Sequence, residues 1–256
     1  MNSTPLTVVP YESALSASSV DGGPELPLVS VLIPVYNEQH TISELLKRVI
    51  EVPIHKEIIV VDDGSSDGTL QALEEFRDIA EIIVLNHSHN RGKGAAVRTA
   101  LERATGRFCI IQDADLEYDP FEIVAVLQPL LNKESAVVYG SRYLSDTAGR
   151  KFRWFRYGVS LLNLVILLLY GIRLTDSATC YKAMSTTLLR SLKLQSCRFE
   201  FCPEVTAKLS LIGVAIREIP ISYHPRDTAT GKKIRWYDGL WAISTLLKWR
   251  ISGFVR

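Results

Sequence analysis

The stretch FCIIQDADLE, residues 108–117, decides the fold class of this chain. It begins as a short apolar run with the pattern of a buried strand, and two carboxylates, Asp113 and Asp115, follow that run directly. Helical patterns precede and follow it, at residues 94–103 and 120–131. A buried strand between two helices, with polar residues at its end, is typical of an α/β sheet that carries a ligand site at its edge.

The same alternation extends outward over the first half of the chain. Strand patterns lie at residues 29–33, 57–61, 82–85, 108–112 and 136–139, and helical patterns separate them at residues 41–52, 69–76, 94–103 and 120–131. This order predicts an α/β fold, a parallel sheet with helices on both faces. Polar motifs follow the first, second, fourth and fifth strands, so we expect four strand ends to face one pocket.

The composition limits the kinds of molecule that this protein is expected to bind. The chain has 256 residues, 47% of them hydrophobic, which is enough for one sizeable core. With 29 basic and 28 acidic residues the net charge is +1, and this balance argues against nucleic acid as a partner. The cysteines lack C-x-x-C spacing, so zinc and redox centres are not favoured, and we expect free thiols in a reducing cytoplasm. They are Cys109, Cys180, Cys197 and Cys202.

The composition also predicts where the domain begins and ends. Residues 1–27 are rich in Ser, Pro, Gly and Thr, which indicates a disordered tail, and no basic start leads into an apolar run as in a secretory signal. Residues 28–225 are expected to form the α/β domain. Residues 226–256 are expected to form a basic loop and an amphipathic helix.

A basic and aromatic segment at residues 150–156 runs into an apolar stretch at residues 159–169. We expect a helix at about 154–172 that faces a membrane. The stretch contains Ser160 and Asn163 and is shorter than the roughly 20 residues of a comfortable span. A core helix, a spanning helix and a helix in the membrane interface are the alternatives.

A second amphipathic helix is predicted near the end of the chain, at residues 240–254. Its apolar face would consist of Leu240, Ile243, Leu247, Ile251 and Phe254. Its basic and aromatic side chains suit a membrane interface, namely Trp241, Lys248, Trp249 and Arg250. We therefore expect a cytoplasmic protein that is peripherally associated with the membrane. The alternative is that both helices pack on the domain or mediate a dimer.

Asp113 and Asp115 have the spacing to reach one divalent cation. Hard cations such as Mg²⁺ or Mn²⁺ prefer carboxylates together with substrate phosphates. The alternative is a turn or a helix cap. An EF-hand is excluded, because Tyr118 stands where that loop requires Gly and Val124 where it requires Glu.

Two further motifs follow the second and third strands. Residues 62–68, DDGSSDG, offer a carboxylate to a ribose or base, or form a Gly-Ser turn that caps a helix. Residues 91–96, RGKGAA, open a helix where N–H groups and Lys93 could bind negative charge, but neither the dinucleotide nor the Walker spacing is present. His87 and His89 have the spacing of metal ligands, although their position favours an exposed loop.

Taken together, these motifs resemble those of family 2 inverting glycosyltransferases with the GT-A fold. The motifs are VLIPVYNE at 31–38, VVDDGSSDGT at 60–69, RGKG at 91–94, QDADLE at 112–117 and GSRY at 140–143. Within that family the chain looks most like dolichyl- or polyprenyl-phosphate sugar synthases, over about residues 28–239. Two departures are Cys180, where relatives usually have glycine, and the lack of the long spanning helices that some relatives carry after the domain.

The resemblance implies a Rossmann-like, mixed but mostly parallel sheet with interfacial helices at its C-terminal end. It implies a GDP- or UDP-sugar donor, with mannose or glucose as the sugar, and Mg²⁺ or Mn²⁺ as the cofactor. The implied donor-binding residues are Pro34, Tyr36, Glu38, Val61, Asp63, Lys93, Asp113 and Ala114. The implied metal ligands are Asp113, Asp115 and Glu117.

The resemblance also implies residues for catalysis and for the acceptor. The catalytic set is Asp115, Arg142, Asp176 and Glu204, although Glu204 could instead pair with a neighbouring base. The acceptor-phosphate set is Arg142, Arg226, Lys232 and Lys233. The expected reaction passes through an oxocarbenium-like transition state and inverts C1.

The nature of the acceptor decides whether a general base is needed. A lipid phosphate is already anionic and needs none, whereas a sugar hydroxyl must lose a proton to Asp176 or Glu204. Transfer to a lipid phosphate at a membrane surface is the favoured hypothesis. Transfer to a saccharide or another hydroxyl acceptor is the alternative, and a non-catalytic nucleotide-sugar-binding protein is a third.

Overall fold

The computed structural model describes residues 27–145, 153–225 and 236–253. The described strands are β1 Val29–Val35, β2 Lys56–Asp62, β3 Ile82–Asn86, β4 Phe108–Ile111, β5 Val137–Ser141, β6 Lys182–Ser185 and β7 Ile216–Pro220. The described α-helices are α1 Ile42–Glu51, α2 Thr69–Glu74, α3 Lys93–Arg103, α4 Ile123–Leu131, α5 Arg153–Tyr170, α6 Thr186–Ser191, α7 Phe201–Leu211 and α8 Trp236–Ser252. A 3₁₀ turn at Pro120–Glu122 leads into α4.

The strands form one sheet in the order β3-β2-β1-β4-β6-β5-β7. β6 runs antiparallel to both its neighbours, and the other pairs are parallel. The predicted mixed, mostly parallel α/β sheet is confirmed, as are the five predicted strands. The alternation pattern missed β6 and β7. β6 is only four residues long and begins with Lys182, so its composition carries little strand signal.

Helices cover both faces of the sheet because successive strand residues point to opposite sides. On one face, Val31 and Ile33 of β1 pack with the buried side of α1. That side consists of Ile42, Leu45, Leu46 and Val49, as the helical pattern predicted. On the other face, Leu32 packs in a cluster that includes residues of α3, α7 and α8. Burying one such side chain stabilises the fold by about 1.5–3 kcal/mol.

Helices α5 and α8 pack against each other and leave apolar side chains outside. Tyr170 donates its hydroxyl to the carbonyl of Leu246 at 2.6 Å. Leu168 is 75% exposed and Ile251 is 84% exposed. Within the described residues, no helix combines the length and hydropathy needed to cross a bilayer.

The predicted apolar face of the last helix lies mostly outward. Leu240 and Leu247 are exposed, whereas Ala242, Thr245 and Leu246 are buried. Trp249 was expected at the interface, and this expectation was wrong. It packs inward because its ring lies 3.8 Å from the ammonium of buried Lys208. Phe254 and the tail at residues 1–26 lie outside the described residues.

Candidate active site

The motifs that follow β1, β2, β4 and β5 lie at one edge of the sheet and contact one another. Thr41 donates its hydroxyl to the carbonyl of Ala114 at 2.8 Å, which joins the loop after β1 to the loop after β4. Lys93 at the start of α3 reaches Asp113 after β4. Because the carboxyl ends of parallel strands meet at one edge, residues distant in sequence converge there.

The loops after β1 and β2 are joined by hydrogen bonds. Asn37 adopts a left-handed backbone conformation, with φ 51°, which asparagine tolerates better than most residues. Its N–H donates to Ser65 Oγ at 2.9 Å, and its side-chain carbonyl accepts from Ser66 N at 2.9 Å. The N–H of Glu38 donates to Thr69 Oγ1 at 2.8 Å. These bonds fix the segment that carries the predicted donor residues Tyr36 and Glu38.

The predicted donor residues Pro34 and Val61 lie beneath that segment. Both are buried and pair in register between β1 and β2. The structure therefore places them at the predicted edge, with their side chains in the protein interior.

Asp63 organises the turn that leads into α3. Its carboxylate is 3% exposed and accepts from the N–H groups of Arg91 and Gly92 at 2.9 and 2.7 Å. It also lies 2.7 Å from His87 Nδ1, whose Nε2 contacts Thr99 at 3.0 Å. The expectation that His87 lies in an exposed loop was wrong, since this contact holds its ring inside.

Lys93 and Asp113 form an ion pair in the centre of the pocket. Lys93 Nζ lies 2.5 Å from Asp113 Oδ1 and 2.7 Å from Cys180 Sγ. Burial acts to raise the pKa of Asp113, but Lys93, the Cys180 thiol and Arg142 lower it overall. Burial likewise opposes the charge of Lys93, but Asp113 and the thiols of Cys180 and Cys202 raise its pKa overall. Both groups are therefore charged at neutral pH.

Asp115 and Glu117 follow Asp113 in a strained turn. Leu116 has φ 61°, a left-handed conformation that a leucine rarely adopts. Asp115 Oδ1 accepts from Glu117 N at 3.1 Å, and Glu117 Oε2 accepts from the hydroxyl of Tyr223 at 2.6 Å. One oxygen of Glu117 is thus bound by Tyr223, and its role as a metal ligand stays a prediction.

The residues present fit a divalent cation only together with a substrate. Over the described ranges, no three His, Cys, Asp or Glu side chains are grouped as a metal centre. Asp113 and Asp115 supply two partly exposed carboxylates at the end of β4. Mg²⁺ and Mn²⁺ accept such an incomplete set when phosphate oxygens and water complete the coordination.

Arg142 and Asp176 form a second, more buried ion pair. Arg142 Nε and Nη2 donate to the two oxygens of Asp176 at 2.7 and 2.8 Å, and Arg142 N donates at 3.1 Å. Arg142 is 4% exposed and Asp176 is fully buried. Burial opposes the charge of Arg142, but Tyr118 and Asp176 raise its pKa overall. The guanidinium also lies 5.6 Å from the ring of Tyr143.

The loop that carries Asp176 is held from two sides. Glu218 of β7 accepts from the N–H groups of Thr175 and Asp176 at 2.7 and 2.8 Å. Asn163 of α5 accepts from Ser177 N at 3.1 Å and donates to the carbonyl of Thr175 at 2.8 Å. The asparagine inside the apolar stretch therefore connects α5 to the site.

Glu204 forms an ion pair of its own. It is fully buried and forms an ion pair with Lys208 at 2.7 Å. Its oxygens also accept from the N–H groups of Gln195 and Ser196. These contacts engage both oxygens, which matches the alternative of pairing with a neighbouring base. The catalytic role of Glu204 stays a prediction.

A cavity of about 340 Å³ opens between α5 and the loop that precedes Asp176. It is lined by Tyr143, Arg156, Ser160, Asn163, Leu164, Leu167, Arg173, Leu174 and Thr175. Sequence analysis did not assign Arg156 or Arg173 to the site. Of the other predicted acceptor residues, Arg226, Lys232 and Lys233 lie outside the described residues.

The mixed sheet, and the Asp-x-Asp pair at its carboxyl edge, define a nucleotide-sugar-dependent glycosyltransferase of the GT-A fold. The chain belongs to glycosyl transferase family 2, whose family model matches residues 30–192. The resemblance of its motifs to this family is confirmed.

Curated relatives include transferases that act on lipid phosphates. The UDP-N-acetylglucosamine–dolichyl-phosphate N-acetylglucosaminyltransferase of Methanococcus voltae is 28% identical, covering 76% of this chain and 84% of that protein. An undecaprenyl-phosphate 4-deoxy-4-formamido-L-arabinose transferase of Pseudomonas fluorescens is 31% identical, covering 68% of this chain and 52% of that protein. The dolichol-phosphate mannosyltransferase of Pyrococcus furiosus is 27% identical, covering 86% of this chain and 64% of that protein. This chain thus spans about half to two thirds of the length of the last two proteins.

Solved structures confirm the fold. Glucosyl-3-phosphoglycerate synthase of Mycobacterium tuberculosis, in complex with Mn²⁺, UDP and glucosyl-3-phosphoglycerate, has a TM-score of 0.66 at 19% identity. The match covers 98% of this chain and 86% of that one.

Proposed function

We propose that this glycosyltransferase moves a sugar from a GDP- or UDP-sugar to a polyprenyl or dolichyl phosphate at a membrane surface, with inversion at C1. Mannose and glucose are the proposed sugars. The observation that carries the proposal is the cavity beside Arg142, which combines two arginines with leucine side chains. An anionic head group joined to a hydrocarbon chain needs this combination.

The two arginines suit a phosphate. Arg156 and Arg173 line the cavity together with Ser160, and all three offer N–H or O–H donors. Leu164 and Leu167 line the same cavity on α5 and can contact the first carbons of a lipid chain. Arg142 connects this cavity to the Asp-x-Asp turn, because its guanidinium lies 5.6 Å from the ring of Tyr143, which lines the cavity, and 6.0 Å from the ring of Tyr118, which follows the turn.

The two candidate bases also favour an anionic acceptor. Asp176 is held by Arg142, and Glu204 is held by Lys208. Neither carboxylate is placed to remove a proton from a sugar hydroxyl. A phosphate oxygen needs no such step, because it already carries negative charge.

The exposed faces of α5 and α8 suit the surface of a membrane. Leu161, Leu164 and Leu168 are exposed on α5, and Trp241 and Ile251 are exposed on α8. Lys248 and Arg250 are exposed on the same helix as Trp241. Aromatic rings and basic groups favour the head-group region, so we propose peripheral attachment of a cytoplasmic protein.

On the donor side, two parts of the chain would surround the nucleotide. They are the segment that carries Tyr36 and Glu38, and the turn before α3 that Asp63 holds in place. Lys93 would face the diphosphate, since it already pairs with Asp113. Asp113 and Asp115 are the residues that would hold Mg²⁺ or Mn²⁺. When bound, the cation supplies positive charge that stabilises the departing diphosphate. The Mn²⁺ and UDP in the Mycobacterium tuberculosis complex support this assignment.

On the acceptor side, the arginines of the cavity would bind and orient the phosphate, and Arg142 would lie next to the reacting oxygen. The pairing of Arg142 with Asp176 limits its freedom, so its position is set before an acceptor binds. The curated relatives that act on dolichyl and undecaprenyl phosphates support the lipid acceptor.

A panel of GDP- and UDP-sugars, incubated with polyprenyl phosphate in liposomes, tests this proposal. We expect mass spectrometry to detect a polyprenyl-phosphate sugar with one donor of the panel. Transfer to saccharides, with no lipid product from any donor, would replace the proposal with the hydroxyl-acceptor alternative.

A further inference from the structure

Three consecutive backbone N–H groups in the loop before β6 are bound by side chains from other elements. Glu218 of β7 accepts from Thr175 N at 2.7 Å with one carboxylate oxygen and from Asp176 N at 2.8 Å with the other. Asn163 of α5 accepts from Ser177 N at 3.1 Å. Adjacent N–H groups favour an anion, and the Glu218 carboxylate supplies that charge from within the protein.

The carbonyl groups of the same loop are held as well. Asn163 donates to the carbonyl of Thr175 at 2.8 Å. Lys182, the first residue of β6, donates to the carbonyls of Ser177 and Thr179 at 2.9 and 2.7 Å. Backbone polar groups need partners where water is excluded, and here side chains of α5, β6 and β7 provide them. The loop backbone is thus fixed by three surrounding elements.

Two of these side chains do not suit the elements that carry them. Glu218 lies in a β-strand, where glutamate is depleted. Asn163 interrupts the apolar stretch of α5 with a residue of low helix propensity. Each makes two hydrogen bonds to the loop, and a side chain that breaks a local rule commonly serves a site. We refer to Asn163 and Glu218 as the loop clamp.

The loop clamp fixes Asp176 at both of its polar ends. The N–H of Asp176 is bound by Glu218, and its carboxylate is bound by the side chain and the N–H of Arg142. A second link joins the loop to the end of β5, where Thr175 Oγ1 lies 2.6 Å from Ser141 Oγ. The position of the Arg142 guanidinium therefore depends on Glu218, although the two side chains belong to different strands of the sheet.

The clamped loop also forms part of the acceptor cavity, because Asn163 and Thr175 both line it. We propose that Glu218 and Asn163 are positioning residues, which hold Asp176, and through it the Arg142 guanidinium, in place beside the acceptor. Glu218 acts through the loop rather than on the reacting atoms. The hydrogen bonds of the loop clamp do not depend on the reaction, whereas their effect on the acceptor rests on the proposed function.

Two substitutions weaken the loop clamp with little change in side-chain size. Glu218→Gln keeps one acceptor oxygen but turns an amide NH₂ towards the second backbone N–H, so one hydrogen bond is lost. Asn163→Leu removes both hydrogen bonds to the loop and suits an apolar helix. Glu134→Gln is the matched control, because it removes a carboxylate that pairs with Arg217, the neighbour of Glu218 in β7. Successive strand residues point to opposite faces, so this control leaves the loop contacts intact.

Hydrogen exchange of the full chain tests the loop clamp without any substrate. Mass spectrometry of peptic peptides that cover residues 172–180 measures the deuterium uptake of the three clamped amides. We expect these amides to exchange about tenfold faster in Glu218→Gln and in Asn163→Leu, because each variant loses at least one hydrogen bond. The control variant, and peptides that cover residues 60–69 in every variant, should match the wild type. Unchanged exchange of the three amides in both variants would overturn the loop clamp.

Steady-state kinetics separates a positioning role from a structural one. In both variants the kcat/KM for the acceptor should fall about ten- to a hundredfold, because a displaced guanidinium no longer meets the acceptor correctly. The KM for the donor and the free energy of unfolding in urea should change little. The acceptor is polyprenyl phosphate, or the saccharide that accepts the sugar if the lipid does not, so a wrong lipid assignment leaves this test in force. Faster exchange of the loop with an unchanged kcat/KM for the acceptor, or an equal effect on the donor KM, would overturn the positioning role.

Discussion

The donor half and the acceptor half of the site are built in different ways. The donor half lies on consecutive strand–loop–helix units, where Asp63, Lys93 and Asp113 each follow or precede a regular element. The acceptor half is assembled from distant pieces, since Arg142 follows β5, Arg156 lies on α5, and Asp176 lies before an antiparallel strand. Because strands and helices alternate regularly, the donor half can be predicted from the sequence. The residues of the acceptor half are brought together only by the packing of the folded chain.

The comparison also separates two kinds of ion pair. Lys93 and Asp113 are partly exposed, at 17% for each side chain, and face the space where a diphosphate would bind. Arg142 and Asp176 are almost completely buried, and so are Lys208 and Glu204. A partly exposed pair can exchange partners when a substrate arrives, whereas breaking a buried pair leaves an uncompensated charge. Single substitutions can therefore distinguish residues that stabilise the fold from residues that bind a substrate.

Glu204 should affect stability rather than catalysis. Glu204→Gln leaves the buried Lys208 without its counter-charge, and we expect a loss of about 3–5 kcal/mol in the free energy of unfolding. Urea unfolding measures this loss. The protein that remains folded should keep its KM for donor and acceptor. A large fall in kcat at unchanged stability would return Glu204 to the catalytic set.

Asp115 should affect catalysis rather than stability. Asp115→Asn removes a carboxylate from the proposed cation position, so we expect kcat to fall about 10²–10³-fold with little change in unfolding. Asp78→Asn, at an exposed carboxylate, serves as the control. EDTA should inhibit the wild type, and Mg²⁺ or Mn²⁺ should restore it. Full activity in EDTA would contradict the metal assignment.

Arg156 and Arg173 should affect the acceptor alone. Changing either arginine to Ala removes charge-assisted hydrogen bonds to the phosphate, and each such bond contributes about 1.5–3 kcal/mol to binding. The KM for the acceptor should therefore rise about ten- to a hundredfold. Donor KM should not change. Arg103→Ala, an exposed arginine on α3, should leave both values unchanged. An equal rise in donor KM would place the cavity in the donor half.

Lys93 should affect the donor alone. Lys93→Ala should raise donor KM by about tenfold or more, because the diphosphate loses a charged partner. Acceptor KM should stay near the wild-type value. An equal rise in donor KM and acceptor KM would show that the donor half and the acceptor half of the site are not independent.

Membrane attachment should depend on individual charges on α8. Each basic residue near an anionic surface contributes about 1 kcal/mol, so Lys248→Ala should weaken binding to anionic liposomes about fivefold. Lys47→Ala, on the surface of α1, should have no effect. High salt should release part of the protein, because it screens these charges. Equal binding to neutral and anionic liposomes would contradict the basic contribution.

Some features of this protein are encoded by local sequence patterns, and others depend on contacts that form only in the folded chain. Buried strands and the polar residues that follow them repeat at regular spacing, so Asp63, Lys93 and Asp113 could be placed together. β6 was not predicted because a buried lysine opens it and a cation–π contact with Tyr139 at 3.9 Å stabilises that lysine only in the fold. Trp249 and His87 were placed on the surface because their partners, Lys208 and Asp63, are brought to them by other elements. Arg173 carries no local motif, and only the packing of α5 reveals the cavity around it.

The most direct test of the account uses two acceptors that differ in one group. The enzyme and its preferred nucleotide sugar would be incubated with polyprenyl phosphate or with the matching polyprenol, in identical liposomes, and the products identified by mass spectrometry. We predict a glycosyl phosphate from the first acceptor and no product from the second, because the phosphate supplies the nucleophile that the buried Asp176 and Glu204 cannot generate. Equal transfer to the polyprenol, or transfer to neither lipid while a soluble hydroxyl acceptor reacts, would contradict it.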